Sequence, residues 1–284
     1  MRQVCVYHAG CPDGFGAAWS VWKAWRGEGS YIARGHEDRL RGRDFEDALI
    51  AFVDIAPDNR ELCELAEHAA QILVLDHHVT ALERLGSDPT LQRTLEAEGH
   101  RIHFDLSHSG AVLAWRHFHP DRPVPDLLRY VEDQDLWNWL LEESEAVNAA
   151  IASYPRSFDM WEELAARPIS ELVREGRPIV RANQIEVERT LKHATPLAVG
   201  KGRVESINST TNRAAIGHAL AERKAYGDQW GCVYRIDGDR VHATLYSIGD
   251  FDVSKIAVLL GGGGHKNAAG FSVKLEEWVR NFVC

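Results

Sequence analysis

Metal-ligand residue types follow three short apolar runs in the first third of the chain. The runs at residues 4–7, 50–53 and 72–75 are followed by His8, by Asp54 and by Asp76-His77-His78, respectively. In an open parallel sheet, ligands bind outside the carboxyl ends of the strands, so these side chains would meet at one edge. Imidazole and carboxylate without thiolate suit Mn²⁺, Mg²⁺, Fe²⁺ or Zn²⁺, and the residue types do not choose among these ions.

Each of these residues taken alone has an ordinary structural explanation. Asp13 is typical of a turn and helix cap, Asp54 of a loop, and His8 of a strand end. Burying several ionisable groups together is costly without a cation, so their joint placement favours a metal site. A further acidic pair, Asp133 and Asp135, is by itself typical of a solvated helix end.

A run of four glycines precedes a histidine near the C-terminal end. The segment Gly261-Gly262-Gly263-Gly264-His265 offers backbone amides that can line an anion-binding nest, with His265 as an added donor. A flexible linker is the alternative, but apolar segments flank the run and it lacks the serines of linkers. The sequence therefore favours phosphate binding here, although the P-loop pattern GxxxxGK[ST] is absent.

The elements that must position these residues alternate in the first half of the chain. Short apolar runs alternate with helical patterns, which predicts a parallel sheet. Residues 111–193 have a nearly continuous helical pattern, and strand-like segments return after a stretch rich in Pro, Gly and Lys. We predict an α/β protein with an N-terminal parallel-sheet domain, a helical connection and a smaller C-terminal α/β domain. The predicted domains are residues 1–192, including the connector, and residues 203–284.

Composition limits the class of protein. The chain has 284 residues and a formal net charge of −10, which argues against a surface that wraps duplex nucleic acid. No apolar stretch is long enough for a spanning helix and no signal peptide is apparent, so we expect a soluble cytoplasmic protein without membrane contact. Its five cysteines are scattered without CxxC, which indicates reduced thiols.

These motifs together resemble the DHH phosphoesterase family, whose members carry a parallel-sheet catalytic domain and a small DHH-associated domain with a GGGH motif. Five matches occur in the family's order: His8 to Phe15, Val53-Asp54, Asp76-His77-His78, Asp133-Gln134-Asp135 and Gly262-Gly263-Gly264-His265. The resemblance implies one or two divalent ions, most often Mn²⁺. It implies that His8, Asp13 and Asp54 hold one ion, that Asp54 bridges, and that His77 with Asp133 hold a second.

The resemblance also implies roles around the substrate. His78 would lie beside the substrate phosphate and stabilise charge, while Gly262, Gly263, Gly264 and His265 would hold a phosphate or terminal nucleotide in an interdomain cleft. Ser109 precedes a helix-like segment, where a phosphate donor and a helix cap are equal alternatives. The implied reaction is hydrolysis of a phosphate ester by metal-activated water.

Two positions depart from the family pattern. Phe15 stands where a second aspartate is usual, and Tyr246 stands where oligonucleotide-degrading members often have an arginine. The choice between Asp133 and Asp135 as ligand stays open. Trp137 and Trp139 follow this acidic pair, and their helical setting favours core packing over stacking on a base.

The expected substrate is a nucleotide or a short single-stranded oligonucleotide, as for an oligoribonuclease. The alternatives are a pyrophosphate or polyphosphate hydrolase and a nucleotide-binding protein without catalysis. The apolar helical middle of the chain leaves a homodimer open, and no feature indicates a different protein partner.

Overall fold

The computed structural model describes residues 1–35, 38–200 and 202–283. The chain forms two compact units, Met1–Val180 and Arg181–Cys284, and the division falls inside one long helix. In the part of the chain that is described, no helix combines the length and the apolar character needed to cross a membrane. Cys5, Cys11, Cys63 and Cys232 are free thiols, and Cys284 lies outside the described residues.

The N-terminal unit is built on a five-stranded sheet in which every neighbouring pair is parallel. Its central strands are apolar on both faces because helices cover both, as predicted for residues 72–75. The strand order is β2-β1-β3-β4-β5. The strands are β1 (Gln3–His8), β2 (Ser30–Arg34), β3 (Leu49–Val53), β4 (Gln71–Asp76) and β5 (Arg101–Phe104).

The strand order creates a switch point between β1 and β3. The chain moves from β1 outward to β2, then returns to the other side of β1 and continues through β3, β4 and β5. Connections on the two sides of such a point leave in opposite directions, which opens a crevice at the carboxyl ends of the two strands. His8 ends β1 and Asp54 directly follows β3, so the fold brings both to this crevice.

Nine helices are described between β1 and the second sheet, together with two short 3-10 turns at Gly42–Phe45 and Leu191–His193. The first helix and the later ones form a helical layer that is packed by aromatic rings, among them Trp19, Trp115 and Trp161. The helices are α1 (Pro12–Ala24), α2 (Asn59–Ala66), α3 (Val79–Gly86), α4 (Pro89–Ala97), α5 (Gly110–Phe118), α6 (Asp126–Asp135), α7 (Ser144–Ala152), α8 (Phe158–Ala166) and α9 (Ile169–Thr190).

The C-terminal unit contains a six-stranded mixed sheet in the order β10-β11-β9-β8-β7-β6, in which only β7 and β8 pair in parallel among the described strands. One face packs on α10, and the other packs on α11 and α12. The elements are β6 (Thr195–Val199), β7 (Gly202–Asn208), α10 (Arg213–Arg223), β8 (Trp230–Asp237), β9 (Arg240–Ser247), α11 (Val253–Leu259), β10 (Gly263–His265), β11 (Ala268–Lys274) and α12 (Leu275–Asn281).

The predicted fold class is confirmed: a parallel sheet, a helical stretch and a smaller mixed α/β unit follow one another along the chain. The division inside α9 does not test the predicted domain bounds of 1–192 and 203–284, which stay a prediction.

Candidate metal centre

Asp54 lies at the centre of a largely buried cluster of histidines and carboxylates in the N-terminal unit. Its Oδ1 is 3.0 Å from Nε2 of His77, and its Oδ2 is 3.3 Å from Nδ1 of His8. The Asp54 backbone has a φ of +60°, an unusual conformation for a residue with a side chain. Such strain costs about 1–3 kcal/mol and persists where the surroundings enforce it, often at functional sites.

A glycine permits the close approach of α5 to this carboxylate. A Cβ atom on Gly110 would lie 2.4 Å from the Cβ of Asp54 and 2.7 Å from its Oδ1. Real contacts of this kind are much longer, so a side chain at residue 110 would displace Asp54. The sequence motif Val53-Asp54 therefore depends on a glycine more than 50 residues further along the chain.

Asp13 reaches the same cluster from the first turn of α1. Its two carboxylate oxygens accept hydrogen bonds from the backbone amides of Gly110 (2.7 Å) and Ala111 (3.0 Å) at the start of α5. Its Oδ2 is also 3.6 Å from Nε2 of His77. Asp13 thus caps one helix while it belongs to another, and both helices fix its position.

The structure brings Asp135, rather than Asp133, to the cluster. Oδ2 of Asp135 is 3.5 Å from Nε2 of His77, and its side chain is 26% exposed. Asp133 instead accepts hydrogen bonds from the backbone amides of Leu140 (2.9 Å) and Leu141 (3.2 Å). The physical reason is helical phase: two residues along α6 rotate the side chain by about 200° around the axis, so the two carboxylates face different surroundings.

Among the described residues of the N-terminal unit, the possible ligand atoms form two groups. In the first triad, His8, Asp54 and His78 place one ligand atom each within 4.8 Å of one another, and in the second triad Asp13, His77 and Asp135 do the same. The expected grouping placed Asp13 with His8, whereas here Asp13 lies with His77. The contact between Asp54 and His77 joins the two triads.

The side chains in this cluster shift one another's pKa values. Burial raises the pKa of Asp13 well above its usual value, and the Asp54 and Asp135 carboxylates act in the same direction. Burial also opposes charge on Asp54, but hydrogen bonds from His77 and His8 hold the pKa of Asp54 well below its usual range. Burial disfavours the charged His77 ring, yet Asp54 raises the pKa of His77 to about 10. The three carboxylates therefore favour the positively charged form of His77 in this site.

His78 is oriented by the aspartate at the start of its own motif. Nδ1 of His78 is 2.7 Å from Oδ1 of Asp76, which also accepts the backbone amide of His77 at 2.8 Å. Burial disfavours the charged ring, but the Asp76 carboxylate raises the pKa of His78. The contact at Nδ1 fixes the ring, with Nε2 on the opposite side.

Ser109 and Cys11 border the cluster in different ways. Ser109 directly precedes α5, is fully buried, and donates its backbone amide to Glu132 at 3.1 Å. Cys11 was not singled out from the sequence as a site residue. Its Sγ is 3.4 Å from both Nδ1 of His8 and Oδ2 of Asp54, and it accepts the amide of Gly14 at the start of α1. A lone cysteine without CxxC gave no signal for this placement.

Phe15 turns away from the site into the helical layer. Its ring stacks on Phe158 at 5.2 Å and meets Trp161 edge-on at 5.1 Å, and the residue is buried. Phe15, which stands where the DHH phosphoesterases that the sequence resembles commonly have a second aspartate, therefore contributes to packing. Asp135 adds a carboxylate to the cluster from α6.

The glycine run of the C-terminal unit is a helix end followed by an edge strand. Gly261 and Gly262 donate their amides to the carbonyls of Val258 and Ala257 in α11, so these two amides are engaged within the protein. The next three residues form β10, which pairs with β11. A Cβ atom on Gly262 would lie 1.9 Å from the carbonyl oxygen of Gly270, and glycine is therefore required there.

Tyr246 lies on the face of the second sheet that packs on α10, and Arg213 is the first residue of that helix. Tyr246 is buried against α10, where a Cβ atom on Gly217 would collide with its ring. The Arg213 guanidinium donates to the Thr244 hydroxyl on β9. Within the described residues, Arg213 has no carboxylate within 4.0 Å and its Nε is buried without a hydrogen-bond partner. The unit thus retains an uncompensated cation near the tyrosine, which sequence reasoning missed.

The donor set of the two triads fits a divalent metal ion. Each ion pair of Asp13, Asp54 and Asp135 within the described ranges is made with a histidine, and none with Lys or Arg. Nitrogen and carboxylate oxygen donors of this kind suit Mn²⁺, Mg²⁺, Fe²⁺ and Zn²⁺. Buried carboxylates that face one another are stabilised by a cation between them.

Comparison with known proteins identifies relatives along the chain. Residues 200–283 match the family model of the DHHA1 domain. A further relative is the uncharacterized protein R106 of Acanthamoeba polyphaga mimivirus, which is 26% identical over 292 residues, covering 95% of this chain and 67% of that protein.

Two solved structures show similarity at lower levels. One is the pGpG-specific phosphodiesterase PggH from Vibrio cholerae, at 14% identity and a TM-score of 0.48, covering 99% of this chain and 96% of that one. The other is an exopolyphosphatase-related protein from Bacteroides fragilis, at 14% identity and a TM-score of 0.49, covering 98% and 89%. The match of residues 200–283 to the DHHA1 domain agrees with the predicted resemblance to the DHH superfamily in this part of the chain.

Proposed function

We propose that this protein is a divalent-metal-dependent phosphoesterase that hydrolyses phosphate esters of nucleotides or short oligonucleotides. The observation that carries the proposal is the convergence of the two triads at the switch point of the parallel sheet. The DHHA1 domain over residues 200–283 supports the same class of activity.

Five side chains form the proposed ligand set for one or two ions. They are the cluster members other than His78, with Asp135 in place of the predicted Asp133: His8, Asp13, Asp54, His77 and Asp135. Mn²⁺ is the proposed ion, and Mg²⁺, Fe²⁺ and Zn²⁺ are the alternatives that a metal analysis would distinguish. Asp54, which contacts both His8 and His77, is the proposed bridge.

The chain's own residues supply positioning and charge stabilisation. A divalent ion, when bound, provides Lewis acidity and lowers the pKa of a water molecule. Asp76 fixes the His78 ring through Nδ1, so that Nε2 can donate to a phosphate oxygen as negative charge develops. Asp13 and Asp54 are buried, and this low-dielectric setting strengthens their electrostatic interactions.

Phosphate capture in the C-terminal unit is assigned to two features. Gly262, Gly263, Gly264 and His265 keep the predicted substrate-binding role, with β10 rather than a loose nest as their framework. Arg213 adds a positive charge that no described carboxylate neutralises. We infer that Arg213 binds phosphate in place of the arginine that oligonucleotide-degrading members of the DHH family often have at the position of Tyr246. Ser109 stays a proposed phosphate donor through the start of α5.

The test combines metal analysis with a substrate panel. The full chain is treated with chelator, reloaded with Mn²⁺, and assayed against the dinucleotide ApA, adenosine 3′,5′-bisphosphate, AMP and pyrophosphate. Asp54→Asn should lower hydrolysis by at least about 100-fold, because even outer partners of metal ligands change affinity or activity by 10- to 100-fold. Asp126→Asn makes the same change on an exposed part of α6 and should leave activity intact.

Three outcomes contradict the proposal. They are full activity of Asp54→Asn, wild-type hydrolysis that survives complete removal of metal, and no hydrolysis of any phosphate compound. Hydrolysis of pyrophosphate alone would overturn the nucleotide substrate while retaining the metal centre.

A further inference from the structure

The segment between α6 and α7, residues 136–143, holds two tryptophans in a strained backbone conformation. We name this segment the tryptophan loop. Trp137 has a φ of +55° and Trp139 a φ of +52°, and Glu143 at the end of the loop has a φ of +58°. Bulky residues rarely adopt these angles, so the surrounding structure must hold the loop in this form.

Asp133 holds the tryptophan loop in place. Its buried carboxylate accepts the amides of Leu140 and Leu141, and its backbone carbonyl accepts the amide of Asn138 at 2.9 Å. Hydrogen bonds to a charged group are stronger than those between neutral groups. A residue predicted from the sequence as a metal ligand is therefore the anchor of the loop that follows the metal centre.

The two tryptophans of the loop lie outside the helical core. Trp137 is 38% exposed, and its ring meets the Trp139 ring edge-on with centroids 4.9 Å apart. By contrast, Trp19 and Trp161 are 1% exposed and fill the helical core, to which neither loop tryptophan belongs within the described residues. The predicted core packing of Trp137 and Trp139 is therefore wrong, because their turn lies beyond the end of α6.

The loop begins beside the candidate metal ligands. Asp135 ends α6 with its carboxylate 3.5 Å from His77, and the Trp137 Cα lies two residues on, at most about 7 Å from the Cα of Asp135. A large π-face that is partly exposed, rigidly supported and next to a phosphate-hydrolysing centre matches the chemistry of a nucleobase. A chain of bare phosphates offers nothing for such a surface to bind.

We propose that Trp137, supported edge-on by Trp139, stacks the base of the nucleotide whose phosphate is cleaved at the metal centre. The inference rests on the proposed phosphoesterase function and deepens it, since it selects substrates with a base over pyrophosphate and polyphosphate. Trp137 is a binding residue in this scheme, and Asp133 is its positioning residue.

The test compares a dinucleotide that has both bases with one that is abasic at the cleaved nucleotide. Trp137→Ala should raise KM for ApA by about 5- to 150-fold, the range measured for loss of one base–aromatic stack, with kcat little changed. KM for the abasic substrate should stay at the wild-type value. Trp137→Phe should restore most of the ApA affinity, because it keeps a π-face.

Leu140→Ala is the matched control within the tryptophan loop. Leu140 is exposed and apolar but has no π-face, so its truncation should leave KM for ApA unchanged. An equal rise in KM for the ApA and abasic substrates in Trp137→Ala would overturn the stacking role, as would an unchanged KM for ApA.

A binding measurement separates this inference from the proposed function. AMP affinity of the full chain is measured by calorimetry, which needs no turnover. A wild type that hydrolyses nothing would contradict the phosphoesterase while a loss of AMP affinity confined to Trp137→Ala would still support base stacking. Equal AMP affinity in the wild type and Trp137→Ala would overturn base stacking whatever the activity.

Discussion

Asp133 and Asp135 lie two residues apart on α6. Neutralising Asp133 should lower stability and retain hydrolysis, whereas neutralising Asp135 should retain stability and lower hydrolysis. Asp135→Asn removes a carboxylate that faces Asp13 and Asp54 across His77. Asp133→Asn removes the charge that accepts two backbone amides of the tryptophan loop. The two changes are identical in chemistry and differ only in surroundings.

The magnitude for Asp133→Asn follows from its two hydrogen bonds. The amide oxygen of Asn can still accept one N–H, at reduced strength, while its NH₂ group meets the second backbone N–H as another donor. Hydrogen bonds to charged groups contribute about 1.5–3 kcal/mol, so we expect a loss of about 2–3 kcal/mol in unfolding free energy. For a unit of this size that lowers the melting temperature by roughly 5–10 °C. Activity on an abasic substrate should persist.

Asp135→Asn should behave in the reverse way. Burial raises the pKa of Asp135, so its charged form is disfavoured in the folded metal-free protein and neutralisation should not lower stability. Mn²⁺-dependent hydrolysis should fall by at least about 100-fold, as for loss of a ligand. For both variants, thermal unfolding in the presence of chelator checks the expected stability, and steady-state kinetics with Mn²⁺ check the expected hydrolysis. Destabilised but active Asp135→Asn, together with stable but inactive Asp133→Asn, would refute the assignment of the two carboxylates.

Three further predictions concern other parts of the chain. Gly110→Ala should abolish hydrolysis, since its Cβ would displace Asp54, whereas Gly86→Ala, with open space around it, should be fully active; assays of both variants check this. Burial lowers the pKa of His218 from 6.5 to about 4. Between these two pH values the His218 ring is protonated in the unfolded chain but not in the folded one, so about 3 kcal/mol of unfolding free energy should be lost by pH 4. Urea unfolding of the full chain at pH 7.5 and 5 should show a smaller difference in His218→Gln. Arg213→Gln should weaken binding of inorganic phosphate, measured by calorimetry, and unchanged affinity would contradict its assigned role.

The sequence predicted the sheet and the strand ends because burial on both faces leaves a clear apolar signature. Strand β4 is such a strand, and the candidate ligands after it could be located from the pattern alone. Strand β5 is short, half-exposed and carries arginine and histidine, so no apolar run marked it.

The positions of the candidate ligands were predictable where these residues follow strands and not where they depend on helical phase. The sequence located the acidic pair on α6 but did not decide between Asp133 and Asp135. A step of two residues turns a side chain by about 200° around the helix axis, and this rotation determines which carboxylate faces the histidines. The placement of Cys11 and the approach of Gly110 to Asp54 depend on contacts between distant segments, which local spacing does not encode.

The order of the ligands along the chain has a consequence for folding. His8 and Asp135 lie at the two ends of the ligand set, and the sheet, α1, α5 and α6 must all pack before their side chains can meet. A divalent ion therefore has few partners in the early, locally structured chain and many in the native state. An ion that binds only the native state adds stability by mass action. Because the candidate ligands lie far apart in sequence, we predict that an ion bound to them would form its contacts late in folding and would stabilise the N-terminal unit chiefly by slowing its unfolding.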